Sequence, residues 1–196
     1  MQTLGLSDST TRSESRLKSL FWPSIQSGAD VDYLAVQGFW VCTIIGVLTL
    51  VFQVLAGNSV TGILILLLFH LGGVGVREHN PFAAGIMLAY YLVDFLSSIV
   101  FVFVNTPGIG VVKIIVMALL LSNLRATWIA SGWKSDSEEA ALPTRMGDTF
   151  ADKFSDKWPA FIWPKVKILY YIFSFVLLVL IVAGLVVMLL RGSRIG

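Results

Sequence analysis

The sequence predicts an all-α integral membrane protein with five transmembrane helices, four in an up-down bundle and a fifth that follows an interfacial amphipathic helix. Three observations predict it. Of 196 residues, 56% are hydrophobic and only 13% are charged, too apolar for an ordinary soluble domain. Most of the charges crowd into residues 1–37 and 134–167. The rest of the chain contains five apolar runs: Gly38–Leu55, Val60–Val76, Phe82–Val104, Ile109–Ser131 and Ile168–Leu190. Each approaches the ~20 residues that cross a ~30 Å hydrocarbon core at 1.5 Å per residue. Only a helix satisfies all its own backbone groups in lipid, so these runs are expected to be helical.

Residues 1–37 read as a polar N-terminal tail. Its first residues, "MQTLGLSDST", have no continuous apolar core and do not resemble a cleavable signal peptide. The later part, "RLKSLFWPSI", carries Trp22 and forms a short interfacial segment. Residues 38–131 hold the four-helix bundle. Its links, Ala56–Ser59, Arg77–Pro81 and Asn105–Gly108, are short turn sequences, so successive helices alternate in direction. Pro81 suits the first turn of the third span, where its missing N–H costs nothing.

Residues 132–167 read as a cytoplasmic loop that ends in an amphipathic helix. Phe150, Phe154, Trp158 and Phe161 recur at helical spacing. Asp152, Lys153, Asp156 and Lys157 fill the other face, and Asp148 is placed to cap it. With Trp163, these aromatics are expected at the membrane surface, although an amphipathic helix can also dock on protein. Residues 168–196 supply the fifth span and a short tail.

Lys and Arg set the orientation. Arg12, Arg16 and Lys18 precede the first span, Arg77 lies in the second link, and six basic residues lie in 132–167. The first and third links have none, which places the N-terminus in the cytoplasm and the protein in the cell membrane. Arg191 and Arg194 pull mildly the other way. The net charge of +2 and its uneven placement give no reason to expect nucleic acid as a partner.

Asp94, deep in the third span, is the residue that needs explaining. A carboxylate there must be protonated, paired or facing water. Depth arithmetic across the third link offers Asn123, Arg125 and Lys113 on the fourth span, with His70 near the depth of Arg125. Tyr90, Tyr91, Ser97 and Ser98 extend the polar face of the third span. The expectation is one intramembrane polar layer of His70, Asp94, Asn123 and Arg125, which either locks helix packing or serves transport.

Motif chemistry is sparse. Cys42 is the single cysteine and lies on an apolar helix, where packing is its expected role. His70 and His79 are the only histidines, too few and badly placed for a haem pair or a zinc site. No G-x-S-x-G or H-E-x-x-H occurs, so no catalytic residue, metal or cofactor is expected. Gly72, Gly73 and Gly75, and the pair Gly85 and Ala89, point to close helix packing. The function expected is a structural or accessory role, as a subunit of a larger membrane complex; the partners expected are the lipid bilayer and other membrane subunits or further copies of the chain. The alternative is a small transporter or proton/ion-conducting protein that uses the layer around Asp94.

Overall fold

The structure, a computed structural model, describes residues 16–101, 107–133 and 150–192. It is all-helical, with no strand among those residues. In chain order the helices are α1 (Arg16–Phe21), α2 (Gly28–Leu55), α3 (Ser59–Arg77), α4 (Pro81–Phe101), α5 (Pro107–Ser131), the single turn α6 (Phe150–Asp152) and α7 (Trp158–Gly192). A π-helical segment, Lys153–Lys157, joins α6 to α7. Helices α2, α3, α4, α5 and α7 are each long and apolar enough to cross a membrane.

Packing closes the first four long helices into a ring. α2 runs along α3, α3 touches α4, α4 pairs with α5, and α5 returns to α2. α7 lies outside this ring, against α3 and, more lightly, α4. The core joins Phe39 and Cys42 of α2 and Phe69 and Val74 of α3 to Met87 of α4, Leu120 of α5 and Trp163 and Tyr170 of α7.

The glycines of α3 let three neighbours approach it at once. A Cβ on Gly73 would lie 3.0 Å from Cys42 Cβ of α2. A Cβ on Gly75 would lie 2.5 Å from both Ala83 Cβ of α4 and the Trp163 ring of α7, and one on Gly72 would strike Met87. Close packing was expected for this run. Gly85 differs: a Cβ there meets only Leu124 Cδ1 at 3.9 Å, an ordinary contact, so it brings no helix close.

Turn chemistry explains how α2, α3 and α4 follow one another. α2 ends in a Schellman pattern: Asn58 N–H bonds Gln53 C=O at 2.8 Å and Gly57 N–H bonds Val54 C=O at 3.0 Å. Gly57 takes the left-handed position at φ 80°, as the motif prefers. α3 ends in the same way, with Asn80 N–H on Gly75 C=O and His79 N–H on Val76 C=O, both at 3.0 Å. Here the left-handed residue is His79, at φ 54°, which carries the Cβ penalty that glycine avoids. Asn80 then caps α4 by accepting the Ala83 N–H at 3.0 Å, and Pro81 opens that helix.

Two boundaries differ from the sequence expectation. α2 begins at Gly28 rather than Gly38, because the acids that broke the apolar run both have helical work. Asp30 Oδ2 accepts the Gln26 and Ser27 N–H groups at 3.0 and 3.2 Å, and Asp32 turns inward. α7 begins at Trp158 rather than Ile168 and runs unbroken for 35 residues, Pro164 included, so the expected separate amphipathic helix is reduced to α6 and the π segment. Asp148, the expected cap, lies outside the described residues.

Candidate functional site

Polar side chains gather at two places. The first is at the polar end of the molecule, where α2, α4 and α7 begin and α3 and α5 finish. Arg77, the last residue of α3, is 1% exposed. It was expected in a solvated link; instead its guanidinium is the centre of a buried node. Nη1 and Nη2 grip the two oxygens of Asp32 as a fork, the latter at 3.2 Å. Nη2 also donates to Asp156 Oδ1 at 2.7 Å, and Nε donates to Ser155 C=O at 3.1 Å. Four of the five N–H donors are thereby used, in the planar two-pronged geometry that lysine cannot reproduce.

The bond to Ser155 has a covalent cause. Pro159 stands four residues on, and a proline has no N–H to give the carbonyl at i−4. Ser155 C=O is thus deprived of its α-helical donor, and Arg77 Nε supplies one from another helix. The local backbone adopts the π geometry at this point, a form that often marks a place where the regular ladder is interrupted. His79 stands beside the node, with Nε2 3.7 Å from Asp32 Oδ1. The Schellman turn that ends α3 brings it back toward α2.

One turn-pair deeper, His70 has both ring nitrogens engaged. Trp158 Nε1, which can only donate, lies 3.1 Å from Nε2, so Nε2 is the unprotonated acceptor. Nδ1 therefore carries the proton and faces Thr43 Oγ1 at 3.2 Å. Phe154 stacks on the ring at 5.7 Å and Phe39 meets it edge-on at 5.7 Å. This neutral imidazole is held by its neighbours and has no nitrogen left to bind a metal.

The aromatic stripe of residues 150–161 therefore divides. Phe154 packs into the core and Trp158 bonds His70, while Phe150 stacks on Phe154 with its far face exposed. Phe161 points outward, with Lys165 Nζ 3.4 Å above its ring. Trp163, expected at the surface, is buried against Gly75, Tyr170 and Tyr171. Trp22 does lie exposed, 4.7 Å from the guanidinium of Arg125.

The second place is the far half of α4 and α5. Lys113 Nζ donates to Asp94 Oδ2 at 2.6 Å and also contacts Ser98 Oγ. Asp94 is 57% exposed and Lys113 18%. Their surroundings on the surface are apolar: Leu92, Leu96, Val112 and Ile114 are all exposed. Asp94 lies seven residues from the end of α4 at Phe101, about 10 Å inside the far end at 1.5 Å per residue. Ser97 and Ser98 bond back to the carbonyls of Val93 and Asp94, each at 2.7 Å, and Ser98 Oγ also accepts from Lys113 of α5.

The expected single layer is thus dispersed. Asp94 chooses Lys113. Arg125 bonds Pro23 C=O at 2.9 Å and packs on Trp22. Asn123 lies buried against Gly38 of α2, and neither of its amide atoms finds a partner among the described residues. His70 belongs to the Trp158 contact, Tyr90 donates to Ser174 C=O at 2.5 Å, and Tyr91 is buried in the core. Among the described residues no group of three His, Cys, Asp or Glu is placed to hold a metal. Comparisons with known protein families, with curated proteins and with solved structures each find no match to this chain.

Chemically, the two places offer different things. The Arg77 guanidinium is buried between two largely buried carboxylates and stays charged in any folded protein, so it fixes geometry and moves no proton. The Asp94–Lys113 pair is reachable from outside the bundle, and Asp94 Oδ1 has no donor among the described residues.

Proposed function

We propose that this chain is a structural or accessory component of a multi-pass membrane assembly, seated in the cell membrane with its N-terminus in the cytoplasm. The observation that carries the reading is the Asp94–Lys113 pair, presented outward from an apolar helical face. A charged side chain within a span costs roughly 2.5–3.5 kcal/mol on insertion scales. Pairing with Lys113 offsets part of that, and Lys113 can lean toward the far interface. A carboxylate left more than half exposed still favours a neighbour that brings a hydrogen-bond donor. A second membrane chain, of this kind or another, supplies one. A transport reading draws less support: among the described side chains Lys113 alone is hydrogen-bonded to the Asp94 carboxylate, and the Tyr90 hydroxyl is bonded to the Ser174 carbonyl.

The test is extraction in a mild detergent followed by native mass spectrometry. The expected result is a stoichiometric complex or homo-oligomer that Asp94→Asn together with Lys113→Met dissociates while the monomer stays folded. A monomer in the wild type, or an assembly indifferent to both substitutions, overturns the proposal.

A further inference from the structure

We infer that the first turns of α7 and the π segment before it form a docking face for anionic phospholipid headgroups. In sequence, residues 150–167 carry a mixed charge: Lys153, Lys157, Lys165 and Lys167 against Asp152 and Asp156. The fold separates these charges. Asp156 turns inward and is consumed by Arg77 at 2.7 Å, which leaves four lysines against one remaining acid on this stretch. All four lysines are exposed, and none forms an ion pair among the described residues.

Their depth fits the headgroup region. α7 has 35 residues, about 52 Å at 1.5 Å per residue, against a hydrocarbon core of ~30 Å. The helix therefore outruns the apolar layer by more than a third of its length. Its apolar part begins at Ile168, so Lys165 and Lys167 stand at the boundary, and Lys153 and Lys157 lie on the segment before α7, which packs against α2 and α3 through Phe154. Exposed Phe161 lies among them beneath the ammonium of Lys165, an amphipathic pairing suited to the interface between acyl chains and headgroups. An anionic lipid satisfies both features at once: its phosphate meets the lysines while its chains cover exposed Phe161. A soluble acidic protein satisfies only the first. Juxtamembrane lysines each contribute ~1 kcal/mol toward an anionic surface, which is about fivefold in affinity.

The full-length protein in neutral detergent is offered equal amounts of phosphatidylglycerol and phosphatidylcholine with matched chains, and native mass spectrometry counts each adduct. Retention of phosphatidylglycerol is expected to exceed that of phosphatidylcholine at least fivefold, and to fall as ammonium acetate rises from about 50 to about 500 mM. The combined K153Q, K157Q, K165Q and K167Q variant, with its helical circular dichroism intact, is expected to bring the ratio near one. Should that variant fail to fold, K153Q and K157Q singly are each expected to lower the ratio severalfold. Equal retention of the two lipids by the wild type, a preference insensitive to salt, or one unchanged in the folded variants overturns the inference. The outcome is separate from that for the Asp94 pair, which concerns another face and another readout.

Discussion

The two charged clusters of this protein are built on opposite terms. Around Arg77 the charges are buried, bonded several times over and contributed by segments as far apart in sequence as Asp32 and Asp156. Around Asp94 the acid is exposed and the lysine half-buried, the two joined by one short contact and contributed by neighbouring helices of one hairpin. The packing follows the same division. Of the most apolar stretch of α3, which passes through the Arg77 end, 44% is buried, against 11% for α7, whose later turns have little beside them. Ion pairs are commonly counted as equivalent stabilisers, yet a buried pair is stabilising only relative to losing one of its members, whereas an exposed one contributes little to its own fold. The first cluster is therefore read as internal architecture, and the second as surface awaiting a neighbour.

Substitutions can break this contrast. Arg77→Leu strands two carboxylates and the Ser155 carbonyl in a largely buried site, and the largest loss is expected there: about 3–5 kcal/mol, seen as loss of monodisperse protein in detergent. Adding Asp32→Asn and Asp156→Asn is expected to recover part of it, since neutral amides tolerate burial better than unpaired charges. Gly75→Val comes next. Its side chain meets Ala83 and the Trp163 ring at 2.5 Å, so a destabilisation of about 1–3 kcal/mol is expected in thermal unfolding, with α7 displaced from α3.

Smaller effects sharpen the comparison. Asn123→Leu replaces a buried amide without partners by an apolar group of similar size, and is expected to be neutral or stabilising by about 1 kcal/mol. Asp94→Asn is expected to shift monomer unfolding by less than about 1 kcal/mol, and to weaken the proposed assembly. Gly85→Ala should be the mildest, within about 0.5 kcal/mol, because its Cβ enters open space 3.9 Å from Leu124. An Asp94→Asn loss as large as that of Arg77→Leu would erase the distinction between the two clusters.

The spans were legible because apolar runs of about 20 residues admit one backbone solution. The glycines of α3 were legible for a similar reason, since clustered small residues in an apolar helix signal close approach. The Arg77 node was not, because its members looked like ordinary charges at helix ends. Asp32 interrupted an apolar run, Arg77 sat in a short link, and Asp156 alternated with lysines. One signal was present: Pro159 leaves the Ser155 carbonyl without a helical donor, and a buried orphan acceptor demands one from elsewhere. The partner of Asp94 was narrowed but not decided. Depth arithmetic set Lys113 and Arg125 at similar offsets from Asp94, but in the fold Lys113 Nζ lies 2.6 Å from its carboxylate, while Arg125, about 18 Å further along α5, bonds Pro23 C=O at the polar end.

The Ser155 carbonyl also bears on the order of synthesis. Arg77 emerges from the ribosome long before the segment that completes its coordination. Through the making of α4 and α5 its side chain has Asp32 as a partner but lacks Ser155 and Asp156. The segment that leads into the last long helix thus completes a coordination begun by earlier ones. In the order of synthesis the coordination of Arg77 therefore closes late, with the last of its partners to be made.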